Sequence, residues 1–181
     1  MMNEIVAHND LKIRIEKNFF SPYESAEYLN KFIKLLPWES MTIKMFGKEV
    51  TIPRLQCWIG DENCEYKYSG KKLNRQDWNS ELLKIRKKIK NEFAIDFNSV
   101  LANYYRDGKD SMGWHADDEK ELGPNPTIAS ISFGSERNLF FRNNYTKETL
   151  SIPQENGSLI IIDGKTQKNW QHSIKKTQKI I

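Results

Sequence analysis

Thr127-Ile128-Ala129-Ser130-Ile131-Ser132-Phe133, Asn138-Leu139-Phe140-Phe141-Arg142, Thr149-Leu150-Ser151-Ile152 and Ser158-Leu159-Ile160-Ile161-Ile162 follow one another as four short β-rich runs, parted by Gly134, Asn143-Asn144, Pro153 and Asn156-Gly157. Two further runs flank them, Ser99 to Tyr105 and Asn169 to Ile174. Strands this short and this close, with no helical stretch between them, indicate an antiparallel sandwich or barrel rather than parallel βαβ units. Pro53, Pro124, Pro126 and Pro153 are expected at run edges, where a missing N–H breaks no ladder bond.

Upstream the texture is helical. Ser21-Pro22-Tyr23-Glu24 sets an N-cap serine, a proline at the first helical position and a glutamate at the third. Tyr28, Leu29, Phe32, Ile33 and Leu36 then recur at helical spacing, so a helix of about 15 residues starts there. A second amphipathic helix is expected from about Asn79 to Asn91, with Leu82, Leu83, Ile85, Ile89 and Phe93 on its inner face. The lysines and arginines of Leu83-Lys84-Ile85-Arg86-Lys87-Lys88-Ile89-Lys90 within it read as a solvated face or as a row of phosphate contacts.

The chain has 181 residues, 38% hydrophobic and 29% charged, with 28 Lys and Arg against 24 Asp and Glu. Such a length suits one domain with a real core. No repeat or linker divides it, so residues 1–181 are read as one domain, with helices over about 1–95 and a β core over about 96–181. No run reaches the ~18 apolar residues of a membrane span, and Met1 to Asp10 has no signal-peptide core. Cys57 and Cys64 make neither a CxxC nor a disulfide framework. The expectation is an intracellular monomer, cytoplasmic or, in a eukaryote, nuclear, with no membrane partner. A net charge of +4 supports a polyanionic partner only weakly.

The chemistry centres on His115-Ala116-Asp117. On an extended segment residues i and i+2 share a face, so the imidazole and carboxylate can converge on one ion. A distant imidazole would complete a two-histidine, one-carboxylate facial triad, which leaves positions open on iron(II). His8 and His172 are the other histidines, and His172 is the good candidate. Taken alone a His-x-Asp tripeptide says little: with three histidines and nine aspartates it arises by chance with probability roughly 0.15.

The surrounding text is more specific. Asn103-Tyr104-Tyr105-Arg106-Asp107-Gly108, Asp110-Ser111-Met112-Gly113-Trp114-His115-Ala116-Asp117-Asp118-Glu119, Ile128-Ala129-Ser130-Ile131-Ser132-Phe133-Gly134, Asn156-Gly157-Ser158-Leu159 and Trp170-Gln171-His172 stand in one order. Together, over about Phe46 to His172, they closely resemble the AlkB family of iron(II)- and 2-oxoglutarate-dependent dioxygenases, in particular its nucleic-acid repair demethylases. The resemblance implies an α+β, mainly β fold: a double-stranded β-helix, or jelly roll, with N-terminal helices packed on one sheet. It implies Fe(II) held by His115, Asp117 and His172, with 2-oxoglutarate and O2 as co-substrates. It assigns Asn103 and Tyr105 to 2-oxoglutarate; as i and i+2 on one strand both can face the barrel interior.

The same resemblance gives substrate contacts. Tyr66-Lys67-Tyr68-Ser69-Gly70 looks like the nucleotide-recognition lid, where Tyr66 and Tyr68 could stack on an extruded base. Otherwise the segment is a hairpin with two half-buried tyrosines. Asp118 and Glu119 resemble the acidic contacts to a cationic base, or are a solvated turn. Phe46 sits where duplex-repair members carry an aromatic finger that fills the gap left by a flipped base, or packs on its own loop. Trp114 and Trp170, each beside a ligand histidine, are expected to pack around the iron site.

One departure stands out. In the family an arginine on a strand after the second histidine, in a segment like Arg-x-Asn-x-Thr-Phe-Arg, binds the distal carboxylate of 2-oxoglutarate; here the sequence runs to Ile181 with Lys175, Lys176 and Lys179 and no arginine. The expectation is a C-terminally incomplete sequence or weak co-substrate binding, with Lys175, Lys176 and Arg142 as the cations to test. The function implied is oxidative demethylation of N1-methyladenine and N3-methylcytosine in alkylated DNA, with RNA the second candidate, and release of formaldehyde. The alternative is a catalytically impaired β-helix that binds metal and nucleic acid without turnover.

Overall fold

Leu11-Lys12-Ile13-Arg14-Ile15-Glu16 alternates apolar and charged residues, and the apolar set faces inward while Lys12 and Arg14 reach solvent. A strand with one buried face requires partners, and the computed structural model, which describes residues 3–45, 47–68 and 71–179, supplies them from the far end of the sequence. In chain order the elements are β1 (Asn3–His8), β2 (Leu11–Glu16), α1 (Pro22–Leu35), β3 (Glu39–Met45), β4 (Lys48–Gly60), β5 (Lys67–Tyr68), β6 (Lys71–Lys72), β7 (Arg75–Gln76), α2 (Ser80–Phe93), β8 (Ser99–Tyr104), β9 (Met112–His115), a 3-10 turn (Lys120–Leu122), β10 (Ile128–Ile131), β11 (Arg137–Asn143), β12 (Thr149–Gln154), β13 (Leu159–Ile162), the single turn α3 (Thr166–Asn169) and β14 (Trp170–Ile174). The expected runs from Ser99 onward are all strands, to within two residues at each end. None of the helices among the described residues is long and apolar enough to cross a membrane.

The chain packs as two units, one formed by the N-terminal residues up to Leu35 together with Tyr105 onward, the other by Leu36–Tyr104. The first unit is the β-helix. Its two four-stranded sheets run β1-β2-β13-β10 and β12-β11-β14-β9, with antiparallel pairing throughout. Leu11, Ile13, Ile15, Ile160 and Ile162 from one sheet meet Leu139, Phe141, Ile152, Trp170 and Ile174 from the other in a single buried core. This is the mainly β jelly roll anticipated above, with one addition: β2 pairs β13 over Ile13↔Ile162 to Glu16↔Leu159, so the N-terminus supplies strands to it.

α1 begins as its sequence dictates. Glu24 N–H donates to Ser21 Oγ, and Ser21 N–H donates to Glu24 Oε2 at 2.8 Å, a closed capping box. Phe20, Tyr28 and Phe32 gather around Phe133 with ring centroids 5.4–6.1 Å from it, which ties α1 to the β-helix. Ile33, expected on the inner face, is 38% exposed; the small Ser25 is buried instead. Its neighbour Gly157 has φ +76°, and a Cβ there would strike the Phe20 carbonyl and Ser25 Oγ, so the chain between β12 and β13 needs glycine to pass α1.

In the second unit β3, β4 and β7 form a sheet to which β8 adds on β4. α2 is capped by Asn79, whose side chain accepts from Leu82 N–H, and ends on Ala94 in the left-handed region. Leu82, Ile85 and Ile89 are buried, while Leu83 faces solvent: only the 3-4 spacing stays on one side of a helix. α2 thus packs within this unit rather than among the β-helix strands. Two prolines lie inside strands, not at run edges as expected. Pro53 falls where the β3–β4 register shifts, between Thr51↔Thr42 and Leu55↔Ser40, and Pro153 lies on the edge strand β12. A bulge and a sheet edge are the two places where a missing N–H is harmless.

Candidate metal centre and active site

The pairing of β9 with β14 sets His115 directly opposite His172, and their ring centroids are 4.1 Å apart. Asp117, just past β9, turns its carboxylate between them: Oδ1 lies 3.6 Å from His115 Nε2 and Oδ2 3.4 Å from His172 Nε2. One ligand atom from each of the three residues falls within 4.8 Å of the other two. The sequence-derived triad is therefore gathered at one point, although His115 and His172 are far apart along the chain.

The electrostatics favour a cation there. Burial, reinforced by the nearby His115, pushes the His172 imidazole well below its ordinary pKa of 6.5, so at neutral pH it is a neutral ring with a free lone pair. Burial also raises the Asp117 carboxyl, against the pull of His115. His115 Nδ1 lies 2.9 Å from the Gly113 carbonyl; donating there leaves Nε2 as the ligand atom. Two imidazole nitrogens and one carboxylate oxygen are a donor set that fits iron(II) and leaves room for further ligands.

Other predicted residues have definite surroundings. Tyr105 follows β8, and its ring lies under the Arg137 guanidinium, 5.7 Å from Cζ. Asp118 is exposed and Glu119 half-buried, at the start of the 3-10 turn. In the second unit Asn103 Oδ1 accepts both Arg54 Nε at 2.8 Å and Gln56 Nε2 at 2.9 Å, and its Nδ2 donates to the Leu101 carbonyl at 3.3 Å. Tyr66 is buried and packed on Trp58 at 5.9 Å rather than open to solvent. Tyr68 lies on β5, with its side chain outside the described residues; Phe46 and Ser69 also lie outside them. Trp170 is core, with Nε1 donating to the Asn9 carbonyl, whereas Trp114 stacks beneath Arg142 at 4.4 Å and Lys175 at 5.7 Å.

The sequence offered no hint of three polar side chains around these sites. Arg54 and Gln56 are nearly fully buried, in a strand whose text reads as apolar alternation. Arg137 is the buried cation of the β-helix: Nη2 donates to the carbonyls of Asp110 and Lys175, and Nη1 has no acceptor among the described residues. Arg142 and Lys175, singled out from the sequence as cations, are instead engaged with Trp114. The basic face of α2 is largely paired, Arg86 with Asp61 and Asp96, Lys90 with Asp96 and Lys88 with Glu92. That favours the solvated-face reading.

The chain, a β-helix that brings two histidines and one aspartate together, belongs to the 2OG-Fe(II) oxygenase superfamily, whose family model matches residues 12–180. Within it the AlkB resemblance of the motifs is matched by relatives. The chain is 35% identical over 178 residues to the mouse alpha-ketoglutarate-dependent dioxygenase alkB homolog 3, covering 91% of this chain and 60% of that protein. It is 32% identical over 166 residues to the human DNA oxidative demethylase ALKBH2, covering 87% of this chain and 64% of that protein. It thus spans about three fifths of the length of these relatives. The solved structure of OsALKBH1 superposes with a TM-score of 0.67 over 93% of this chain and 86% of that one, at 14% identity, a likeness of fold.

Proposed function

We propose that the protein is an oxidative demethylase of alkylated nucleic acid that binds one Fe(II) through His115, Asp117 and His172 and removes the methyl group of N1-methyladenine and N3-methylcytosine in DNA, with RNA the second candidate, releasing formaldehyde. Convergence of the three ligand side chains within 4.8 Å carries the reading; the 32% and 35% identity to a DNA oxidative demethylase and an alkB homolog supports the substrate class. When bound, iron with 2-oxoglutarate and oxygen supplies the oxidation of the methyl carbon. The chain's residues hold and orient. His115 keeps its Nε2 lone pair free by donating its Nδ1–H to the Gly113 carbonyl, and His172 keeps its own by being buried and neutral. Tyr105 and Asn103 hold the co-substrate, with the Asn103 amide oriented by Arg54 and Gln56. Asp118 and Glu119 take the extruded base, whose positive charge suits the two acids; Tyr68, Ser69 and Phe46 are assigned to the base by the family resemblance alone, while Tyr66, buried against Trp58, supports its own unit instead. The protein acts as a monomer inside the cell, in cytoplasm or nucleus; Cys57 and Cys64, both free thiols, fit a reducing compartment.

The test is formaldehyde release from oligonucleotides carrying either methylated base, with metal stoichiometry measured in parallel. The unaltered protein is expected to bind one iron per chain and to release formaldehyde. His172→Ala, left with two ligands, is expected to lose both. Unchanged metal content in that variant would refute the triad, and metal binding without formaldehyde would leave a binding domain.

A further inference from the structure

His115 and His172 owe their positions to a strand ladder, since each is the other's partner across β9 and β14. Asp117 has no such support. β9 ends at His115, and residues 116–119 belong to no strand, so the backbone that carries the metal carboxylate must be held by something else. The holder is Gln167, whose Oε1 accepts the Asp117 N–H at 3.1 Å across 50 residues of sequence. Gln167 is 3% exposed and lies on α3, the turn that leads directly into β14 and His172. The turn itself is fixed to the opposite sheet, because Lys12 N–H on β2 donates to Thr166 Oγ1 at 3.1 Å.

A second observation sets Gln167 apart from packing. Its Nε2 is buried with no acceptor among the described residues. A donor kept dry and unpaired opposes folding, and a methionine of the same length would fill the space without it. Breaches of this kind concentrate where function requires them. We infer that Gln167 is a positioning residue for the metal centre: through Oε1 it fixes the Asp117 backbone so that the carboxylate meets both imidazoles, and it couples that loop to the strand bearing His172. This rests on the triad being a metal centre and adds to it a residue outside the three ligands.

Two measurements on the full chain test it: manganese(II) affinity by electron paramagnetic resonance, and hydrogen exchange of the Asp117 amide in metal-free protein by NMR. Gln167→Met, which keeps the volume but removes the acceptor, is expected to weaken manganese binding at least about tenfold, as loss of a ligand-orienting partner does, and to speed Asp117 exchange by at least about tenfold. Gln167→Glu keeps an oxygen that can accept the same N–H, so it is expected to restore both to within about threefold. If methionine prevents folding, Gln167→Ala replaces it. Unchanged exchange or unchanged manganese affinity in the methionine variant would overturn the inference. So would equal losses in the methionine and glutamate variants. If the unaltered protein binds manganese no better than His172→Ala, the metal reading has failed by itself, and the exchange rates still decide whether Gln167 holds the Asp117 backbone.

Discussion

Asp110 is 4% exposed and collects three donors from Arg106: the backbone N–H at 2.9 Å, Nε at 2.8 Å and Nη2 at 2.9 Å. These bonds hold its carboxyl below the ordinary 3.8. A carboxyl depressed in the folded state stabilises it fully above the unfolded pKa and loses that contribution as pH falls through the folded one. Asp110→Asn should therefore cost about 1–3 kcal/mol at pH 7, and the gap from the unaltered protein should close as pH drops below about 4; thermal melts from pH 7 to pH 2 check both. Tyr105 carries a prediction on the co-substrate. A hydroxyl that donates to a carboxylate is worth about 1.5–3 kcal/mol, so Tyr105→Phe should weaken 2-oxoglutarate binding at least about tenfold in a titration of manganese-loaded protein. At this scale the triad was readable from its surroundings: His-x-Asp alone says little, but His115, Asp117 and His172 could be picked out by the motifs around them, and the three side chains do converge. Gln167, Arg137 and the Arg54–Gln56 pair could not, because supporting roles use common polar residues whose partners lie far away in sequence.

Elements were legible in proportion to how local their determinants are. The capping box of α1 and the β-rich runs of β11 and β12 are decided by neighbours within a few residues, and both stand where they were expected. Ser21→Ala should cost about 1 kcal/mol, which for a chain of this size lowers the melting temperature by about 2–4 °C; a melt of the variant is sufficient to check it. Tertiary context decided the rest. Ile33 and Leu83 satisfy helical periodicity and yet face solvent, since the covered faces are those that carry Phe32 on α1 and Leu82, Ile85 and Ile89 on α2. Pro53 could not be placed inside a strand without knowing that β3 shifts register there. β2 shows a clean alternation, but its partner β13 lies more than 140 residues away and leaves no trace nearby.

At the scale of the molecule, the unit of Leu36–Tyr104 is continuous in sequence, whereas the β-helix joins both ends of the chain. The sheet that carries the core residues Ile13 and Ile15 is complete only when β2 has met β13. During synthesis this imposes a timetable. At roughly 5–20 residues per second, β2 leaves the ribosome roughly 7–30 s before β13, with Leu11, Ile13 and Ile15 still uncovered, while the inserted unit is already whole. Nascent chains halted with residue 140 outside the tunnel should thus yield a protease-resistant fragment from 36–104 and a digestible N-terminus, and chains released beyond Ile174 should protect both; early protection of residues 3–16 would contradict this order. The waiting strand is a hydrophobic ribbon with an open edge, and the stretch that closes the sheet is followed directly by the one that brings in the second histidine. On the proposed triad, the metal site cannot form before β14 has emerged, by which time β13 is free to close the sheet with β2.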